Sequence, residues 1–189
     1  MKFKTIIVPI IHCISFLLLL GSLILLITDN ATLSINGFGV DSAGRVYVGR
    51  IYKIEIFEDG QRISQIDIPH YRNWSIEISQ DDSIILSNGS VVYVMGLSGE
   101  VMSQMEDPGG ERYREARDKR SIIGGDGQEY RLRNSFGKTI IVDAKGEPVY
   151  EGAILDQVVQ LSFYLSIAGL LVSIPFIRSI VKERIDGNS

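Results

Sequence analysis

The residues that could do chemistry in this chain are few and widely spaced. Outside the apolar stretches the only histidine is His70, in "IPHYRNW". A metal centre needs several ligands of suitable type converging on one point. "QDDS" at 80–83 supplies two adjacent carboxylates, Asp81 and Asp82. Neighbours on a strand point to opposite faces, so the pair reads as a solvated turn. "DSAGR" at 41–45 and "GGDGQEY" at 124–130 lack the ligand ladder of a calcium loop. "GLSGE" at 96–100 departs from the serine elbow G-x-S-x-G, because position 100 is Glu100. The enzymatic alternative is a site formed only between copies, from residues such as His70, Asp81 and Asp126. The chain is otherwise expected to be no enzyme, and no motif calls for a cofactor or a metal.

The densest charge lies in "EDPGGERYREARDKR" at 106–120. Arg112, Arg114, Arg117, Lys119 and Arg120 stand out against acidic surroundings and are candidate contacts for an acidic partner or an anionic headgroup. Glu115 and Lys119, four apart, can support a short helical turn inside what otherwise reads as a solvated loop.

Two segments must place this middle region. Residues 5–27 and 158–177 contain no Asp, Glu, Lys or Arg, and each is long enough to cross a hydrocarbon core about 30 Å thick. The first exceeds a signal-peptide apolar core and lacks a small-x-small cleavage site. Lys2 and Lys4 precede it, and Arg178, Lys182 and Arg184 follow the second. Positive flanks stay in the cytoplasm, so residues 1–4 and 178–189 are expected there, with 28–157 outside a plasma membrane. Residues 28–157 hold 14 Lys and Arg against 21 Asp and Glu, and the flanks 5 against 2, which together give the net −4 of the chain. A net −7 outer region disfavours nucleic acid. With one cysteine, Cys13, in the first span, no disulfide can form within the chain.

Within the spans, His12 is a costly polar group that calls for a hydrogen bond to a neighbouring helix, and Cys13 reads as a small packing residue. Ser162, Ser166, Gly169 and Ser173 fall at steps of four, three and four. Such a stripe of small residues lets helices approach closely in lipid, with Ser15 and Ser22 of the first span, or a second copy, as the partner surface.

Between the spans, alternation marks short strands. They fall near 45–49, 52–57 and 62–68; then 74–78, 83–87, 90–95 and 100–105; then 120–123, 128–133, 138–142 and 147–151. Asn88-Gly89 suits a two-residue turn with both residues at positive φ. Asp41, Asp81 and Asp126 align as strand openers, Gly60, Gly99 and Gly146 as turn closers, at steps near 40. That period, with several strands per unit, is the signature of propeller blades. "VDSAGRVYV…KIEIFEDGQRI" resembles a blade of the NHL type of β-propeller, in three units over about 35–69, 74–107 and 120–152 with the charged insertion at 106–120. The resemblance departs from the family in number, since propellers typically have 4–8 blades.

The expected architecture is therefore a membrane-anchored all-β protein: two transmembrane helices flanking an antiparallel β domain of about three propeller-blade-like repeats. Its expected role is non-enzymatic contact or sensing at the cell envelope, with the bilayer and a protein partner or homodimer, through helices and open sheet edges, as its associations. An accessory subunit of a membrane transport or envelope complex is the alternative.

Overall fold

The computed structural model describes residues 2–28, 30–68, 74–135 and 138–186. His70 lies outside the described residues. The chain forms two compact units, Met1–Leu33 with Leu155–Ser189, and Ser34–Ile154.

The first unit holds two long helices, α1 (Lys2–Ile27) and α3 (Ile154–Asp186). Both are apolar around most of their circumference, and stretches of 21 and 26 residues, Ile7–Ile27 and Ile154–Ser179, are long and apolar enough to cross a membrane. Large aliphatic side chains such as Leu17 (64% exposed) and Leu165 (67%) point outward, while the polar Ser15, Ser22, Ser166 and Ser173 are buried. α3 extends further at both ends than the expected span, because its helical pattern continues into "RSIVKERID". At its start Asp156 is buried and accepts a hydrogen bond from the Thr32 N–H at 2.8 Å, and Gln160 reaches the Leu33 carbonyl.

The second unit consists of three four-stranded antiparallel sheets, each a simple meander. The first comprises β1 (Phe38–Val40), β2 (Val46–Gly49), β3 (Lys53–Glu58) and β4 (Gln61–Asp67). The second comprises β5 (Ser75–Ile78), β6 (Ile84–Ser87), β7 (Val91–Met95) and β8 (Val101–Glu106). After a short helix, α2 (Glu111–Asp118), the third comprises β9 (Ser121–Ile123), β10 (Glu129–Ser135), β11 (Lys138–Val142) and β12 (Pro148–Glu151). The alternation finds eleven of these strands within two residues of their ends. It misses β1, a three-residue strand with a central glycine.

One turn recurs and explains much of the regularity. At 41–45, 79–83, 96–100, 124–128 and 143–147 the first residue's N–H donates to the fifth residue's carbonyl, and the fourth N–H to the first carbonyl. The fourth residue must be left-handed, and it is Gly44, Asp82, Gly99, Gly127 or Gly146, with φ from 58 to 95°. Asp82 is the exception, a residue type that tolerates this region better than most. The turns correct two sequence expectations. Asp41 is equivalent to Ser79 and Gly124, so Asp81 and Asp126 stand two positions later in their turns than Asp41 does. At 88–91 only Gly89 takes positive φ; Asn88 instead accepts from the Ser90 and Val91 N–H groups.

The sheets pack with the first in the middle. On β2, Tyr47 faces one way and Val46 and Val48 the other. Tyr47, Ile54 and Ile56 pack with Trp74, Ile76, Ile84, Leu86 and Met95 of the second sheet and its approach. Val40, Val46 and Val48 pack with Tyr130, Ile141 and Tyr150 of the third. β2 is buried on both faces. Burying each such side chain fully is worth about 1.5–3 kcal/mol. Main-chain bonds complete the junction: the Ile76 N–H donates to the Asn36 carbonyl at 3.1 Å, and the Gly125 N–H to the Val40 carbonyl at 2.9 Å. This approach leaves no room at Gly39, where a Cβ would lie 2.5 Å from Ile78 Cγ1 and 2.7 Å from the Ile78 nitrogen. Gly39→Val is expected to lower stability by about 1–3 kcal/mol, seen as a lower thermal midpoint by circular dichroism in detergent. An unchanged midpoint would show that β1 and β5 are not held this closely.

Candidate interaction sites

Three places bring the candidate residues together: the turn end of the β unit, helix α2, and the seam between α1 and α3.

The turn end is fixed by contacts between the three inner turns. The Ser42 N–H donates to Asp82 Oδ1 at 2.8 Å and its hydroxyl bonds Oδ2. A Cβ on Gly125 would lie 2.7 Å from the Ser42 nitrogen. The turns at 41–45, 79–83, 96–100, 124–128 and 143–147, with Glu58–Gln61, therefore lie at one end, and they carry nine carboxylates against Arg45 and Lys145. A cavity of about 380 Å³ opens there, lined in part by Ser42, Gly44, Asp59, Asp126, Tyr130 and Asp143.

Two tyrosines at equivalent positions anchor this end. Asp41, fully buried, accepts from the Ala43 and Arg45 N–H groups, from Arg45 Nε at 2.7 Å and from the Tyr47 hydroxyl at 3.0 Å. Asp126 accepts from the Tyr130 hydroxyl at 2.7 Å. Burial first, and then the neighbouring aspartate, pushes both phenols far above their ordinary value. Each stays a protonated donor at neutral pH and is no base. The hydrogen bond to Asp41 likewise raises the Arg45 guanidinium. Asp81 and Asp82 share a turn, but Asp81 bonds only Ser79 within it, while Asp82 crosses to the first sheet. Among the described residues no group of three or more His, Cys, Asp or Glu is placed to hold a metal ion. The turn end is a rigid, strongly negative surface.

Helix α2 replaces the loop expected at 106–120. Gly110, left-handed at φ 60°, starts it without a side-chain cap, close against the Gly89 carbonyl. Glu111 in its first turn and Arg117 in its last suit the helix dipole. Ala116 is its buried contact, and Tyr113 lies beside Gly89. The Arg117 guanidinium stacks 5.7 Å from the Tyr113 ring centre and donates to its hydroxyl. Lys119 pairs with Glu77 of β5 rather than with Glu115. The spacing within the insertion carried no sign of that partner, 42 residues away. Arg112, Arg114 and Arg120 are exposed, and among the described residues none of the three makes an ion pair.

In the helical unit the structure brings Ser166, Gly169 and Ser173 to the buried seam, with Ser162 half-buried one turn earlier. His12 Nδ1 lies 2.9 Å from Ser173 Oγ, and the missing side chain of Gly169 makes room for Ser15. Ser166 and Ser173 satisfy their hydroxyls on carbonyls of their own helix, at Ser162 and Leu170.

No protein-family model matches the chain, and no curated protein does. Solved structures to which it is similar include a protein of unknown function from Bacteroides caccae, at 14% identity and a TM-score of 0.32, covering 62% of this chain and 45% of that one. A catalytically inactive virginiamycin B lyase from Staphylococcus aureus, solved with quinupristin, is similar at 15% identity and a TM-score of 0.35, over 64% of this chain and 41% of that one. A streptogramin B lyase is similar at 17% identity and a TM-score of 0.32, over 64% and 40%. The chain thus spans less than half the length of each.

Two outcomes follow. The Ser42 hydroxyl, then its N–H, hold the Asp82 carboxyl below its ordinary 3.8. A depressed folded value stabilises fully above the unfolded value and is lost as pH falls through the folded one. Asp82→Asn is expected to flatten the acid limb of stability below about pH 4, read by thermal unfolding against pH; an unchanged limb would place acid sensitivity elsewhere. In a Cys13→Ser background, a His12→Cys, Ser173→Cys pair is expected to cross-link under mild oxidation, and Gly169→Leu to suppress it. Cross-linking that survives Gly169→Leu would remove this stripe from the helix seam.

Proposed function

We propose that this is a two-span membrane protein whose β unit works outside the plasma membrane as a non-enzymatic contact or sensing module, built from three propeller-blade-like sheets. Both termini lie in the cytoplasm in this reading. The observation that carries it is the uneven charge of a rigid unit: carboxylates crowd the turn end, while uncommitted guanidiniums project from α2. A surface of this kind recognises by electrostatics. α2 with the two residues that follow it is the anion-binding element, with Arg112, Arg114 and Arg120 free to engage a ligand and Arg117 and Lys119 already holding Tyr113 and Glu77.

The outer edges offer a second mode of contact. β8 is exposed along its whole length, including Val101, Met102 and Met105. An unpaired edge of this kind can accept a strand from a protein partner or a second copy. Because α2 packs along β5, extra blades from another copy could not stack on that flank of the second sheet without displacing it.

Two measurements test the proposal. In the Cys13→Ser background, Ser98→Cys is expected to react with a membrane-impermeant maleimide in intact cells; labelling only after lysis would reverse the topology. The purified full-length protein, despite its net negative charge, is expected to be retained by immobilised heparin. The combined change of Arg112, Arg114 and Arg120 to Gln is expected to release it at lower salt. Equal elution of the two proteins would remove α2 as the anion-binding element.

A further inference from the structure

We infer that the ligand of α2 is an anionic phospholipid headgroup, met where the chain runs from the β unit into its apolar helices. The inference rests on the two readings just proposed, that α2 binds anions and that the helices span a membrane.

The path of the chain carries it. Contacts among the inner turns put all the acidic turns at one end of the β unit. Both ends of the unit emerge at the other. Near its start, Asn36 bonds the Gly49 and Arg50 carbonyls, at the end of β2 remote from the acidic turns. Near its finish, the Gly152 N–H donates to the Thr139 carbonyl at the corresponding end of β11. Only Ala153 separates Gly152 from Ile154, the first residue of α3.

α2 begins at this same end. The Asp107 N–H donates to the Ser90 carbonyl in the β6–β7 turn, and Gly110 sits against Gly89 in that turn. Arg112 and Arg114 follow in the first turn of the helix. The chain therefore passes into apolar helix from the end where Arg112 and Arg114 stand, with Glu106, Asp107 and Glu111 beside them, while nine carboxylates gather at the opposite end. Guanidinium groups match phosphate in charge and geometry. An anionic membrane attracts basic residues within about a Debye length and repels carboxylates. An acidic protein would satisfy the charge of α2 equally, but nothing among the described residues of the β unit directs such a partner to the end where the chain enters and leaves.

The test uses full-length protein in nanodiscs of phosphatidylcholine alone, or with roughly 30 mol% phosphatidylglycerol. Hydrogen exchange is followed for residues 106–120. Anionic lipid is expected to slow their exchange by about tenfold. The effect should vanish at about 0.5 M salt and in the Arg112→Gln, Arg114→Gln, Arg120→Gln protein. Unchanged exchange in β5–β7 of that variant would show that its fold is intact. Equal exchange of 106–120 in both lipids would overturn the inference. Heparin retention that persists in that case would leave α2 as an anion-binding element with another ligand, whereas loss of both would remove the underlying reading. Stronger protection by a polyglutamate peptide in phosphatidylcholine discs than by phosphatidylglycerol would overturn the lipid in favour of an acidic protein.

Discussion

The backbone of the short strand β1 approaches both neighbouring sheets so closely that no side chain fits at Gly39 on one side or at Gly125 of the turn facing it on the other. The arrangement of the β unit depends on that contact. It lets the first sheet bury Tyr47, Ile54 and Ile56 on one face and Val46 and Val48 on the other, so two cores share one set of strands. It also presses the inner turns together, through Ser42 with Asp82 and through Gly125 with Asp41 and Ser42. The ring contact between Phe57 and Tyr150, 4.8 Å between centroids and nearly perpendicular, ties the outer part of the first sheet to the third.

Holding the turns together concentrates like charge, and the structure offsets this locally. Asp41, the one turn carboxylate that is fully buried, has four donors. Asp82 and Asp126 each receive a hydroxyl and a backbone N–H, as a buried or crowded acceptor requires. Deeper in the first sheet, the buried Glu55 is approached by Arg50, Lys53 and Arg62, with Arg62 at 2.9 Å. Removing one member of such a buried cluster costs more than a surface pair would. Elsewhere Glu77, Glu129 and Glu151 pair with Lys119, Arg131 and Lys138, and five basic side chains lie at 112–120 among as many acidic ones at 106–118.

Local chemistry was legible in the sequence wherever the signal was local. Alternation located eleven strands, and the glycines expected to close turns, Gly60, Gly99 and Gly146, all take positive φ. The failures have a common cause. β1 escapes because "GFGV" has two glycines and no polar alternation; its place is set by Ile76, Ile78 and Gly125, which lie far along the chain. Lys119 takes Glu77 instead of Glu115 because the end of α2 packs on β5, a contact no i,i+4 rule contains. The aspartate alignment slips by two residues because Asp41 and Asp126 reach equivalent tyrosines from different turn positions. Each miss turns on the packing and reach of particular side chains, and one sequence without its packing does not specify those.

If the first sheet truly belongs to both cores, the β unit cannot lose one outer sheet without exposing the other. Native-state hydrogen exchange of the full-length protein in detergent tests this most directly, by comparing amides of Leu86 in the second sheet, Ile54 in the first and Ile141 in the third. The shared-core account predicts a single opening free energy for all three, falling together as denaturant is added. A third sheet that opens at lower free energy, with Ile54 and Leu86 still protected, would contradict it.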